Sequence, residues 1–268
     1  MVSGLTNSDS LRSDQYKDSS NLAARAELHQ RFSTNPTGWH EWVFNQFVLP
    51  DTASILELGS GPGYLWQYNR SRLQKDMDIC LTDISAGMLQ EAYINLAGCE
   101  NIRYAVSDIC KIPFPENTFS AVIANHMLYH VSDLPAALKE IKRVLKPGFC
   151  LYAATNGVSH LYEIRDWKTK FYPDQEGDDW GTAALGFSVE NGAGLLQSEF
   201  SDIRFQKYPD SLLVDQIEPL INYIKSYTKL EDDACGTKQL RDYLQDQISK
   251  NGAIQITKES GVFVALKR

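Results

Sequence analysis

The sequence predicts an α/β protein on a doubly wound, mostly parallel sheet of seven strands, with an N-terminal helical lid and a helical, aromatic cap insertion. Strand and helix patterns alternate from residue 53 to residue 154 at the spacing of right-handed βαβ units. The strand candidates include continuous apolar runs such as Ala121-Val122-Ile123-Ala124, suited to a parallel sheet covered on both faces. The first strand runs into Gly59-Ser60-Gly61-Pro62-Gly63, a turn that brings bare backbone close to a ligand.

Taken in order, residues 1–50 read as the lid. Asp18-Ser19-Ser20 supplies capping residues for a helix over 18–32, and Gly38 to Phe47 reads as a second helix with Trp39, Trp42, Val43 and Phe47 on adjoining turns. Residues 51–155 form the core. Its strands are Ala53 to Leu58, Met77 to Thr82, Ile102 to Val106, Phe119 to Ala124 and Phe149 to Ala154. Its helices are Tyr64 to Leu73, Ala86 to Ala97 and Leu134 to Leu145. Ser132 or Asp133 caps the last of these ahead of Leu134-Pro135, and Lys146-Pro147-Gly148 is read as its stop. Residues 156–250 read as cap and acceptor-binding region, with core elements near 188–208. Tyr162, Trp167, Phe171, Tyr172 and Trp180 make it aromatic; Ser188-Val189-Glu190 opens a helix and Ile203 to Tyr208 is a strand. Helices near Val214 to Tyr227 and Lys238 to Lys250 follow. Residues 251–268 close the sheet, with Ala253 to Thr257 and Val262 to Leu266 alternating across Glu259-Ser260-Gly261 like a hairpin.

The chain has 268 residues and a net charge of -8, enough length for a full core. An acidic chain without Lys/Arg clusters argues against nucleic acid and anionic membrane partners and favours a small-molecule acceptor. No apolar run long enough for a membrane span occurs, and Met1 to Ser20 is too polar for a secretory signal. Cys80, Cys99, Cys110, Cys150 and Cys235 are odd in number and lack metal-type spacing, which predicts reduced thiols in a cytoplasmic protein and no metal site.

The glycine turn does not fit the dinucleotide fingerprint Gly-x-Gly-x-x-Gly, because its third glycine comes one residue early and Tyr64 stands in that glycine's place. Glu57 just before the loop suits a cationic ligand better than a pyrophosphate. The pattern Glu57-Leu58-Gly59-Ser60-Gly61-Pro62-Gly63 resembles the cofactor loop of class I S-adenosyl-L-methionine (SAM) methyltransferases, whose fold is Rossmann-like. Asp83 ends the second strand twenty residues after Gly63, where an acid can take both ribose hydroxyls of a nucleoside. Asp83 is alternatively a helix N-cap, a task open to Ser85 as well. Asp83-Ile84-Ser85-Ala86-Gly87-Met88-Leu89 is similar to the methyltransferase pattern Asp-x-Ser-x-x-Met-Leu.

Ser107-Asp108-Ile109 follows the third strand; in the family an acid here bonds the adenine amino group while its apolar neighbour packs on the ring. Asn125 to Asp133 follows the fourth strand, at the edge that faces the ligand crevice of an open parallel sheet. The stretch through Gly148 resembles the ubiquinone- and menaquinone-type group of small-molecule methyltransferases, although Phe149 replaces the second glycine of its Pro-Gly-Gly. The resemblance implies that Asn125 touches the methionine part of SAM. His126 and His130 are the candidate catalytic bases, with a purely structural histidine as the competing reading of His130. Tyr16 and Leu28 to Asn35 resemble the lid of some members, implying that Tyr16 or Arg31 reaches the methionine carboxylate; plain helix packing is the alternative.

The expected activity is methyl transfer from SAM to oxygen, nitrogen or carbon of a small molecule, in the manner of secondary metabolism, yielding S-adenosyl-L-homocysteine (SAH). Alternatives are a cyclase, a non-catalytic SAM-binding partner and an NAD-type oxidoreductase. The run Asp174-Gln175-Glu176-Gly177-Asp178-Asp179 is a solvated loop or an attraction for a cationic amine.

Overall fold

A computed structural model describes residues 20–173, 184–226 and 235–268, with only the helical backbone given at 20–25 and 235. Seven strands form one sheet in the order β3-β2-β1-β4-β5-β9-β6. These are β1 (Ser54–Leu58), β2 (Asp78–Asp83), β3 (Ile102–Val106), β4 (Phe119–Asn125), β5 (Leu145–Asn156), β6 (Ser201–Lys207) and β9 (Ser260–Leu266). Parallel pairing joins β1 to β5, while β9 runs antiparallel to both β5 and β6.

The unbroken apolar runs have a direct cause: each strand serves two cores. Leu56, Leu58, Val122 and Ala124 face one side, with Leu138 and Ile141 of α5 (Leu134–Val144). Ile55, Ala121 and Ile123 face the other, with Trp66 of α3 (Tyr64–Tyr68) and Leu89 of α4 (Ala86–Asn95). Burying one such side chain contributes about 1.5–3 kcal/mol. Asp133 caps α5 by accepting the Ala136 N–H at 3.0 Å, and Ser85 caps α4 by accepting that of Met88 at 3.3 Å.

A third core lies outside the sheet. Leu28 and Phe32 of α1 (Ser20–Phe32) pack there with Ile164 and Trp167 of α6 (Tyr162–Phe171), Leu220 of α8 (Ile217–Lys225) and Leu244 of α9 (Cys235–Asn251). A two-stranded sheet of β7 (Ser211–Val214) and β8 (Ile254–Thr257) completes it. The short helix α2 (Trp39–Phe44) instead packs Val43 and Phe44 onto the main core, so the segment before β1 serves both bodies.

The sequence-based boundaries between 53 and 154 hold within two residues, with two exceptions. The first core helix breaks after Tyr68 into a 3-10 turn over Arg70–Arg72, because buried Asn69 folds its amide back onto Leu65 O and His40 O. Lys146-Pro147-Gly148 does not end α5: that helix stops at Val144 and β5 starts at once, with Pro147-Gly148 in an irregular stretch of pairing where Gly148 N–H bonds Lys267 O at 2.8 Å.

Three further expectations are corrected. The helix near 190 begins at Gly192 (α7, Gly192–Leu196), after a turn closed by Asn191 accepting the Ser188 N–H at 2.7 Å. Ser211–Val214 is a strand rather than part of a helix from 214. The terminal hairpin does not exist: β8 pairs with β7 and β9 lies between β5 and β6, so Lys258 and Glu259 cross from one sheet to the other. Alternation alone cannot tell two strands of one hairpin from two strands of separate sheets.

Candidate cofactor and acceptor site

The strand order reverses between β1 and β4, and a cavity of about 1100 Å3 opens at the carboxyl ends of these strands. Its floor is the glycine turn. Gly63 sits at φ 75°, where a side chain would approach Leu96 Cδ1 to 2.8 Å, so only glycine lets α3 start there against α4. Gly61, at φ 54°, is bounded by nothing within 4 Å on its open side, leaving room for a ligand against the backbone. Gly59 and Ser60 complete the floor. The hydroxyl of Ser60 is buried without a hydrogen-bond partner among the described residues, as is Asn125 Oδ1. Such orphaned atoms in a concave site are what a polar ligand satisfies.

Glu57 is 2% exposed and accepts the Trp66 indole N–H. Burial pushes its carboxyl up to about 8, against the opposing pull of hydrogen bonds from Trp66 and Asn125. A cationic group arriving beside it would favour the carboxylate. Asp83, at the next strand end, accepts the Gly61 N–H at 2.9 Å on one oxygen and the Ser85 N–H at 2.8 Å on the other. The cap reading of Asp83 is corrected: Ser85 is the cap, and Asp83 ties the turn to β2. Burial raises the Asp83 carboxyl, opposed by these backbone donors.

Ser107, Asp108 and Ile109 line the same cavity from the end of β3, Ile84 from the β2–α4 turn and Met88 from the first turn of α4. Asp108 accepts the Cys110 N–H at 2.8 Å, which fixes its carboxylate at the rim, while Ile109 is buried beneath. His126 stands at φ 53° with its N–H bonded to Ala154 O at 2.9 Å. Its ring lies 5.0 Å from that of Trp39, and burial, then His40, Lys258 and His130, lower it to about 3. His126 is thus a neutral imidazole and a weak base. His130, on a 3-10 turn, lines the cavity with its ring 4.5 Å from that of Tyr129.

Tyr16 and the acidic run 174–179 lie outside the described residues. Arg31 does not line the cavity: it is exposed and bonds Glu27 and Gln216. On α1 the positions that line the cavity are Ala26, His29 and Gln30, with Ser33 just beyond its end, and Arg31 is not among them.

The other half of the cavity comes from residues that sequence reasoning did not assign. His29, His160, Tyr208, Tyr223 and Lys258 line it. His160 stacks on His29 with ring centres 6.0 Å apart, and Tyr208 meets Trp39 at 5.2 Å. Their one sequence signal was histidine and aromatic content beside the core motifs; nothing in the spacing joins positions 29, 160 and 258.

A family model described as a methyltransferase domain matches residues 56–152. The mitochondrial arginine-hydroxylase NDUFAF5 of Rattus norvegicus is 31% identical over 186 residues, covering 69% of this chain and 50% of that protein. The ubiquinone/menaquinone biosynthesis C-methyltransferase UbiE of Desulfotalea psychrophila is 33% identical over 129 residues, 47% of this chain and 52% of that protein. The chain thus spans about half the length of the curated relatives it matches. Among solved structures, phosphoethanolamine N-methyltransferase 2 of Haemonchus contortus, in complex with phosphomonomethylethanolamine and S-adenosylhomocysteine, superposes with a TM-score of 0.59 at 18% identity over 98% of this chain and 60% of that one. Such identity speaks for the fold alone. With the matched domain falling on the strands and turns that build the cavity floor, residues 56–152 are identified as a methyltransferase domain of the class I SAM-dependent type.

Proposed function

We propose that this chain binds SAM on the floor of the cavity and transfers its methyl group to a small-molecule acceptor held in the other half, releasing SAH. The observation that carries this reading is the placement of Glu57, Asp83 and Asp108 at three neighbouring strand ends around one glycine turn. In this reading Glu57, Asn125 and Ser60 hold the methionine part, with Gly59 and Gly61 leaving room for it against the backbone. Asp83 takes the ribose hydroxyls, Asp108 the adenine amino group, and Ile84, Met88, Ser107 and Ile109 wall the base.

SAM supplies a methyl group on a sulfonium, which already has a good leaving group. The work left to the protein is positioning, worth about 7–11 kcal/mol in well-oriented systems. The aromatic side of the cavity (Trp39, Tyr208, Tyr223) excludes water and frames the acceptor. Where the acceptor loses a proton, His130 is the base candidate, and such a base adds roughly 10²–10⁴-fold. Free Cys80, Cys99, Cys110 and Cys150 support a reducing, cytoplasmic setting.

Calorimetry with SAM, SAH and NAD tests the donor. SAM and SAH binding with NAD silent is expected; NAD binding with SAM silent would overturn the reading. A second reading follows from the relative named as an arginine-hydroxylase: hydroxylation on the same fold, with dioxygen supplying the inserted oxygen and an added two-electron reductant carrying its other atom to water. Product mass separates the two, because an added oxygen and an added methyl group differ in mass. Tight SAM binding with no product over a broad acceptor panel would favour a binding protein instead.

A further inference from the structure

The crossing between the two sheets leaves Lys258 inside the cavity. Its side chain is 6% exposed, and it forms an ion pair with Asp210, whose side chain is 0% exposed. That carboxylate is already heavily used. It accepts the Thr34 N–H at 2.9 Å, the Asn35 N–H at 3.0 Å and the Ser33 hydroxyl at 2.7 Å. Its charge is therefore shared among several donors, and Lys258 donates one hydrogen bond, to Asp210, among the described residues. An ammonium has three N–H donors. A buried one with bonds left unmade is held at a cost that an incoming anion relieves.

The groups facing Lys258 fit the same partner. His29, His126 and His160 all feel its field, and all three are held neutral by burial first, then by neighbouring charge. They do not compete with it as cations. His160 Nδ1 accepts the Glu259 N–H at 3.2 Å, which leaves the ring proton on Nε2, on the edge away from Glu259. Ser260, near the same nitrogen, donates to Asn156 Oδ1 at 2.6 Å. The Tyr208 hydroxyl donates to Thr37 O at 2.7 Å. His29 Nδ1 is buried without a partner among the described residues.

A continuous aromatic wall connects this point to the donor side. The Lys258 ammonium lies 5.0 Å from the Tyr208 ring, which meets Trp39 at 5.2 Å, which meets His126 at 5.0 Å beside the end of β4.

We infer that Lys258, with His160 lining the same cavity, binds the acceptor through the oxyanion of an acidic hydroxyl, phenolic or enolic, packed against the Tyr208–Trp39 wall. The inference rests on the proposed transfer in placing the acceptor here. It goes beyond it by naming the acceptor's chemistry and the residue that recognises it.

The test uses 4-nitrophenol, whose phenolate absorbs visibly and whose bound ionisation can be titrated. The full chain is compared with the double variant Lys258→Met/Asp210→Asn, which removes both charges and leaves no buried carboxylate unpaired; circular dichroism and a melting curve establish that it folds. With SAH present, the wild type is expected to bind phenolate over phenol by about tenfold, lowering the bound phenol's ionisation by about one unit. The double variant is expected to lose that preference and to keep its SAH affinity within about twofold. Should the double variant not fold, Lys258→Arg, which keeps a cation of different reach, is expected to weaken phenolate binding in the same assay. Equal phenolate affinity in wild type and variant, or no phenolate binding by the wild type, overturns the inference. Tighter binding of 4-nitrobenzoate than of 4-nitrophenolate overturns the hydroxyl assignment. Failure of SAH to bind would count against the methyl-transfer reading alone, because the phenol titration runs equally well without nucleoside.

Discussion

The two halves of the cavity are built by different means. On the donor side the acids sit at or just after strand ends, and two of them are held by nearby backbone: Asp83 by the amides of Gly61 and Ser85, Asp108 by that of Cys110. On the acceptor side the groups come from residues far apart in the chain, such as His29, Trp39, His160, Tyr208 and Lys258, brought together by packing between the third core and the sheet. The first kind of site is fixed by local geometry. The second depends on how two separately cored bodies meet.

This contrast breaks if an acceptor-side change disturbs donor binding, or if a donor-side change leaves it intact. The largest expected effect is from Asp83→Ala. Losing a charged acceptor toward the ribose and the anchor of the glycine turn is expected to weaken SAH binding about 100-fold, from about 1.5–3 kcal/mol per charge-assisted bond. Unchanged SAH affinity in calorimetry would remove Asp83 from the ribose. The unpaired Gly61 and Ser85 amides also lower the melting temperature, by about 1–3 kcal/mol of stability for a buried donor left unsatisfied.

Next comes pH. With its folded carboxyl raised to about 8, Glu57 contributes stability that is complete below the ordinary carboxylate range and is lost as pH rises through about 8. A cationic ligand group favours the charged form, so binding expels a proton. SAH affinity is expected to climb with pH toward about 8 by up to about tenfold per unit, and Glu57→Gln to flatten the climb. Calorimetry in buffers of different ionisation heat reads the proton directly; no proton release at pH 7 would place Glu57 away from the ligand's charge.

A smaller effect is expected at the rim. Asp108→Ala should weaken SAH by about 1–2 kcal/mol, since its carboxylate is exposed and solvent competes for the adenine amino group. The smallest is an acceptor-side control. Tyr208→Phe removes one hydrogen bond, to Thr37 O, and should lower stability by about 1 kcal/mol while SAH affinity stays put. A large SAH loss there would mean that the halves are coupled.

The same contrast explains what was legible in the sequence. Strand ends, glycine turns and caps are short-range features, so the positions of Glu57, Gly61 and Asp83 could be read from the sequence pattern, while Asp108 and Asn125 were reached through the resemblance to a family. The apolar runs of β1 and β4 announced a sheet covered on both faces. Misreadings fell where a local pattern has two tertiary outcomes. Pro147-Gly148 stops a helix in one context and interrupts the pairing of a strand in another. The alternation across Glu259 to Gly261 suits a hairpin, yet these strands belong to different sheets. Arg31 and His29 lie on the same helix turn, and only the packing of α1 shows which faces inward. Lys258 had no signal at all, because a lone lysine between strands gains meaning only from what surrounds it.

The route of the chain between the bodies has a consequence for engineering. The third core draws on α1, α6 and the run from β7 to β8, while β6 and β9, on either side of that last run, belong to the main sheet. Acceptor recognition therefore cannot be transplanted as one cassette. A chimera would have to import three separate stretches, and the two junctions of the last one, near Lys207 and Ser260, fall on neighbouring strands. Families built this way are expected to change acceptor by point substitution along existing walls more readily than by exchange of a whole module.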